Sequence, residues 1–336
     1  MLMKYALTSA FVLSLMACDN ALALSKEPSL CEGSSALCAM LTPGGFYGTA
    51  TGYYLRPSET GIGMATDSWQ YVLPGGGLEA LSKPVDPEGK WNAGFVVGYD
   101  IPDSANSIEL SYLYLNNNYH AVNGLQGGPL TFGAIFFPDV TFTPPGTFVS
   151  DAQLRYRVDQ VDLKVGRTYI DYQGQFTLRP KIGVRYARIN HDFTFLAPGN
   201  VMSHFKGAGP LLGIDGRYSL LHSNWGLVGT FEYAAIVGRV DAHSFLNFPI
   251  YVTYISPERD RVVNSFTAKL GIDYKYHFKN SNGFAAVEGG YQVNQYNDAM
   301  DMIRGNYFVQ GAQKVAGVET TSFNFHGPYI SLTLHA

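Results

Sequence analysis

Two short motifs carry the side chains of acid–base chemistry, His191-Asp192 and Asp241-x-His243. A carboxylate that orients an imidazole makes a general base, so each pair is a candidate half of a hydrolytic dyad. Neighbours in sequence are not thereby hydrogen-bonded, and the chain holds no GxSxG, HExxH, P-loop or glycine-rich strand-to-helix fingerprint beside them. The expectation is therefore no enzyme, no catalytic residue and no cofactor. Cys31 and Cys38 lie seven positions apart in a Pro/Ser/Gly-flanked stretch. They suit a local disulfide. A metal pair would need further His or Cys ligands nearby, so no metal is expected. Pairing between subunits, and with it a homo-oligomer, stays open.

The elements that must hold these residues are read from composition. Charged residues make up 15 % of the 336, against ~25 % in an ordinary soluble chain. There are 23 Tyr, 21 Phe and 37 Gly, yet no apolar run is long enough for a membrane helix. A net charge of -4 gives no polyanion signature, so no nucleic acid is expected as a partner. Low charge, neutral hydropathy and abundant Tyr, Phe and Gly are the composition of a transmembrane β-barrel.

The first residues agree with export. Lys4, the apolar stretch from Tyr5 to Ala17 and Ala21-Leu22-Ala23 read as a signal peptide over 1–23. Leu15-Met16-Ala17-Cys18 is a rival lipobox, acylated at Cys18. Residues 24–44 then form a periplasmic leader with the Cys pair, and 45–336 the barrel. Its compartment is oxidising.

Ten segments have strand character: 46–57, 90–101, 107–120, 152–171, 175–196, 204–221, 225–248, 261–278, 283–298 and 320–336. Long connections (58–89, 121–151, 197–203, 249–260, 299–319) alternate with tight ones such as Pro102-Asp103-Ser104-Ala105-Asn106 and His222-Ser223-Asn224. The Gly75-Gly76-Gly77 run reads as a flexible tip of the first long loop. This is an antiparallel up-and-down barrel of about ten strands, eight or twelve being the neighbouring counts, with tight turns in the periplasm and long loops outside. In the eighth segment Phe266, Ala268, Leu270, Ile272, Tyr274, Tyr276 and Phe278 share one parity. The fourth breaks phase: Leu154, Tyr156 and Val158 are even, Val161, Leu163 and Val165 odd. A bulge near Asp159-Gln160 would account for that. Pro180 and Pro328 sit awkwardly in closed strands.

By parity the charges point inward. Glu109, Arg179, Lys181, Arg185, Asp215, Arg217, Glu232, Lys269, Asp273, Lys275 and Glu288 are candidates to line the lumen. With Lys164, Asp100 and Asp162 they make seven cations and seven anions. Such an interior is either a weakly selective permeation path or a network of ion pairs filling a narrow barrel. Asp215 needs a partner to offset desolvation, and the stripe of Arg179, Lys181 and Arg185 supplies one.

Phe46-Tyr-Gly-Thr-Ala-Thr-Gly-Tyr-Tyr-Leu-Arg-Pro57 after the Cys pair, Lys90-Trp-Asn-Ala-Gly-Phe-Val-Val-Gly-Tyr99 and Ser107-Ile-Glu-Leu-Ser-Tyr-Leu-Tyr-Leu115 resemble the opening of the Legionella-type major outer membrane proteins. The chain departs from many outer-membrane barrels in ending on Ala336 rather than an aromatic residue. The resemblance implies a pore-forming, surface-exposed protein of the bacterial outer membrane, and carries no active-site residues. Its expected partners are outer-membrane lipid and small solutes. The alternative is a non-conducting barrel whose long loops contact a host ligand.

Overall fold

A computed structural model describes residues 37–60, 66–72, 78–84, 87–125, 130–134, 148–171, 173–195, 199–220, 223–247, 251–278, 283–306 and 315–336. The expected signal peptide, Cys18, Cys31 and the Gly75-Gly76-Gly77 run lie outside the described residues. Ten strands form the wall: β1 (Gly45–Thr60), β2 (Lys90–Asp100), β3 (Asn106–Leu125), β4 (Phe148–Arg167), β5 (Phe176–Phe195), β6 (Gly199–Ser219), β7 (Trp225–Asn247), β8 (Tyr251–His277), β9 (Phe284–Asn306) and β10 (Val315–His335). Each pairs antiparallel with the next, and β10 returns to β1 with Ser331 opposite Thr51. The ring is closed. Closure pairs the backbone groups of the wall within the chain, which a lipid surround demands.

Side chains alternate along every strand, and the outward set forms a belt. Trp91, Phe95, Leu110, Leu163, Leu212, Phe231, Leu270 and Ile330 are exposed on it. Aromatic residues rim it at both levels: Phe46, Tyr218, Trp225, Tyr276 and Phe278 at the turn end, Tyr54, Trp91, Tyr112, Tyr186 and Tyr291 at the other. Inside the belt the side chains are polar or charged. Above it, toward the long loops, the arrangement inverts without any change of parity. Tyr156, Ile189, Phe205, Ile236, Phe323 and Phe325 turn inward and are fully buried, while Arg155, Arg188, Lys206 and Arg239 on the same strands are exposed. The upper barrel is thus built like a water-soluble one, apolar within and polar without.

This inversion corrects two expectations. No bulge interrupts β4 near Asp159-Gln160, because its register with β3 and β5 runs unbroken from Ala152 to Gly166. Leu154, Tyr156 and Val158 face the apolar upper core, and Val161, Leu163 and Val165 face lipid: the parity is constant, and the solvent changes. The connections expected at 197–203 and 249–260 are also mostly strand, since β5 ends at Phe195 and β6 begins at Gly199, and β7 ends at Asn247 and β8 begins at Tyr251. Outside the membrane the strands lose the apolar outer face by which they were recognised.

The sheet has additions at both ends. Strand Leu37–Ala39 of the leader pairs with Tyr169–Asp171, which itself pairs with β5. Met40 N donates to Thr168 O at 3.0 Å, and Thr42 bridges Ser104. Pro180 falls where β5 changes partner on one side, between Leu178 opposite Tyr169 and Lys181 opposite Gly166, while on the other side it stands opposite Ile214 in the ladder with β6. In the first two long loops, Thr66–Val72 pairs with both Leu78–Pro84 and Leu130–Ala134 in a separate three-stranded sheet. β9 follows β8 only to Asn297 opposite Asn264. At Asp298, with φ 58°, it bulges and leans across the lumen. Beyond the bulge Ala299 and Met300 are fully buried, Asp301 N donates to Ser203 Oγ of β6 at 3.0 Å, and Asp301 pairs with Arg261 at 2.7 Å.

Placing Leu270→Arg, 70 % exposed in mid-belt, should cost ~2–4 kcal/mol of stability in lipid vesicles. Phe323→Ala, inside the upper core, should cost ~3–5 kcal/mol. Urea unfolding followed by tryptophan fluorescence measures both. If Leu270→Arg were neutral, the belt would not face lipid.

Candidate functional site: the charged lumen

Within the belt the inward residues of neighbouring strands meet in one cavity of ≈ 580 Å³. Ten of the eleven residues selected by parity line it, from Glu109 to Glu288. Arg185 is the eleventh and forms its roof, 0 % exposed. Met40, Thr42 and Pro43 of the leader border the periplasmic end.

The roof is a dense ion-pair network. Arg185 Nε donates to Asp162 Oδ1 at 2.8 Å and Nη2 to Oδ2 at 2.9 Å, the bidentate fork that suits guanidinium and carboxylate. The same Nη2 reaches Glu232 Oε2, and Nη1 donates to Ser265 Oγ at 3.0 Å and Thr267 Oγ1 at 3.2 Å. Lys164 bridges Glu109 (2.7 Å) and Glu232 (3.0 Å). Lys181 bridges Glu109 (3.4 Å) and Asp215, so Asp215 finds its partner in the basic stripe as expected. Arg179 Nη2 donates to Tyr47 OH at 2.7 Å, and Tyr47 OH donates to Glu109 Oε2 at 3.1 Å. Gln160 ties the network to the core above, donating to Asp162 at 2.8 Å and accepting from Tyr296 OH at 2.5 Å.

Toward the periplasm the lumen is looser. Arg217 pairs with Asp273 at 2.7 Å. Lys269 lies over the rings of Tyr53 and Tyr329, 5.3 and 5.7 Å from their centroids, and Tyr329 OH donates to Glu288 at 2.5 Å. Lys275 lies 5.2 Å from the Phe284 ring centroid, and His335 Nε2 is 3.1 Å from Asp100 Oδ2. The Gln292 amide and Asp273 Oδ1, of residues that border this vestibule of the cavity, are buried with no hydrogen-bond partner among the described residues.

A closed ten-strand wall, a lipid belt and a charged interior are shared by unrelated outer-membrane proteins, so lineage rests on sequence. The family model described as Legionella pneumophila major outer membrane protein precursor matches residues 45–336. The chain belongs to that family. It is a multi-pass β-barrel of the bacterial outer membrane. A search of the curated proteins finds no match. Among solved structures, the outer membrane protease OmpT from Escherichia coli aligns at 12 % identity over 90 % of this chain and 100 % of its own, with a TM-score of 0.47. A Pseudomonas aeruginosa FadL homologue aligns at 9 % identity over 87 % and 90 %, with a TM-score of 0.30. Likeness at this level says nothing about activity.

In this member of the Legionella major outer membrane protein family the two acid–base motifs do not become dyads. His191 points inward against Tyr156, with ring centroids 5.0 Å apart, whereas Asp192 points outward, as successive strand residues must. Asp192 and Asp241 instead flank His204, which the sequence did not single out: Nε2 lies 3.5 Å from Asp192 Oδ1 and Nδ1 3.3 Å from Asp241 Oδ2. The His243 ring is 5.9 Å away. Hydrogen bonding to Asp192 holds the His204 imidazole above its ordinary pKa, and the same bond depresses Asp192. The group lies on the outer wall above the belt and not in a cleft. Cys38 is in a disulfide; its expected partner Cys31 lies outside the described residues.

Removing one partner from a buried network leaves the others charged and unpaired. Arg185→Met should therefore destabilise the barrel by ~3–5 kcal/mol, and adding Asp162→Leu should recover much of that loss, since Glu232 keeps Lys164. Equilibrium unfolding of the single and double variants measures it. A double variant no better than the single would mean that Arg185 is not neutralised by Asp162.

Proposed function

We propose that this protein acts as a surface barrel, closed to solute flow in the conformation described, that presents its extracellular part to a partner such as a host ligand. One observation carries the reading: the lumen is filled from the roof upward. Arg185, Asp162 and Glu232 are 0–5 % exposed, and the apolar core continues above them through Tyr296, Phe323, Phe325 and Tyr156. Ten strands lie near the eight whose interior is just filled by side chains, far from the sixteen typical of aqueous channels. The three-stranded sheet that joins the loops 58–89 and 121–151 supports a binding role, since among the described residues its outer strands have unpaired edges of the kind that partner strands extend. This reading assigns no catalysis.

The second reading, a small weakly selective pore, is favoured by the vestibule. Its cations and anions are balanced, and it faces the periplasm as the lower half of a permeation path would. In that case Arg185 and the core above it form the gate, and the hairpin of β9 and β10 beyond Asp298 is the element that must swing aside.

Conductance of the purified protein in a planar bilayer separates the two. The surface reading expects no steady channel in high salt. Regular small steps from the wild-type protein would overturn it in favour of the pore. For the binding role, deletion of 121–151 removes Leu130–Ala134 from the loop sheet but no strand needed for closure apart from the ends of β3 and β4. It should leave heat-modifiable gel migration intact while lowering adhesion of cells that display the protein. Unchanged adhesion would show that this loop is not the binding element.

A further inference from the structure

Residues directly opposite on one sheet face interact, and like charges so placed destabilise the sheet unless something neutralises them. The outer wall contains such a row. Arg188 of β5 stands opposite Lys206 of β6, and Lys206 opposite Arg239 of β7. Carboxylates stand only at its ends, Asp159 opposite Arg188 on β4 and Asp260 opposite Arg239 on β8. Asp159 is already engaged by Arg157 at 3.1 Å and by Tyr112 OH at 2.9 Å. Arg239 is shared between Glu258 (3.2 Å) and Asp260 (3.6 Å). Arg188 and Lys206 are exposed and make no hydrogen bond or ion pair among the described residues.

Position says what meets them. One row nearer the turns, the same five strands carry Val161, Tyr186, Ala208, Val237 and Val262, each opposite the next. The wall passes from wholly apolar to cationic in a single step. That step is the upper edge of the lipid belt, on the side of the long loops, so the cations stand at the headgroup level of the outer leaflet. Adjacent strands are ~4.8 Å apart, so the row spans roughly 10 Å. This suits a headgroup carrying more than one phosphate better than a single phosphodiester.

We infer that Arg188, Lys206 and Arg239 form a binding site for the phosphorylated sugar headgroup of outer-leaflet lipopolysaccharide, whose acyl chains lie along the apolar rows beneath. The guanidinium groups offer forked donors to phosphate oxygens, and Lys206 between them adds a point charge. The lipid supplies the neutralisation that the sheet lacks.

The test uses the full chain folded in detergent free of lipopolysaccharide, then titrated with rough lipopolysaccharide, with the same lipid enzymatically dephosphorylated, with phosphatidylglycerol and with inorganic phosphate. Binding is read as lipid adducts in native mass spectrometry. Wild type should bind the phosphorylated glycolipid. Arg188→Ala with Lys206→Ala should weaken it by about tenfold or more, as the loss of two charge-assisted contacts implies. Lys90→Ala, exposed on the remote β2, should leave binding unchanged. Equal binding by the double variant, or equal binding of the dephosphorylated lipid or of phosphatidylglycerol, overturns the proposal. So does full competition by inorganic phosphate, which would mean a site for free anions. If the double variant fails to reach the folded gel position, wild type decides. Its affinity must fall steeply with salt, and a salt-independent affinity overturns the proposal.

Discussion

A strand presents alternate side chains to opposite faces, and a closed barrel cannot change that period without breaking its ladder. Everything else in this molecule follows from holding the period fixed while the medium outside changes from lipid to water. In the belt the outward residues must be apolar, so the inward ones are left to carry the polar groups. Above the belt the outward residues must be polar, and the inward ones become a hydrophobic core. β5 shows the whole scheme in one run: Lys181 and Arg185 inward beneath Ile189 and Phe193, and Tyr186 outward beneath Arg188.

The ion pairs of the lumen are the counterpart of that scheme. A chain apolar on both faces of each belt strand would be uniformly hydrophobic during its passage through water, a hazard for aggregation. Charges inside keep the chain's hydropathy neutral, but burying them is tolerable only if each is partnered. Glu109, reached by Lys164, Lys181 and Arg179, and Arg185, held by two carboxylates and two hydroxyls, meet that condition. Space for such side chains is made by glycine: a Cβ at Gly98 would lie 2.4 Å from the Tyr47 hydroxyl.

Strand number, the tight turns and the inward direction of the charged residues were legible in the sequence, because belt strands alternate strongly and their ends carry turn residues. The partnership of Asp215 with the basic stripe was legible too, since it follows from adjacency of the fifth and sixth strands. Three things were not. The apparent phase break at Asp159-Gln160 looked like a bulge because a change of solvent and a change of parity leave the same trace in hydropathy. The upper parts of β6 and β8 resembled loops for the same reason. The row of Arg188, Lys206 and Arg239 depends on register across three strands, which no single segment contains. Its trace in the sequence is one exposed-parity cation just beyond the apolar run of each of three consecutive strands.

The seam between β10 and β1 bears on how the molecule is made. Ser331 meets Thr51, and Ala336 N donates to Phe46 O at 2.9 Å, so the first and last strands of the wall are neighbours. Their union joins residues nearly the whole length of the barrel apart in sequence, and the entropy of closing so long a loop is lost before the contact repays it. Until the final strand arrives, the nine others have two bare edges, each a template for adding a foreign strand. Folding is thus all-or-nothing at its last step, and the interval before closure is when the polypeptide most needs an escort.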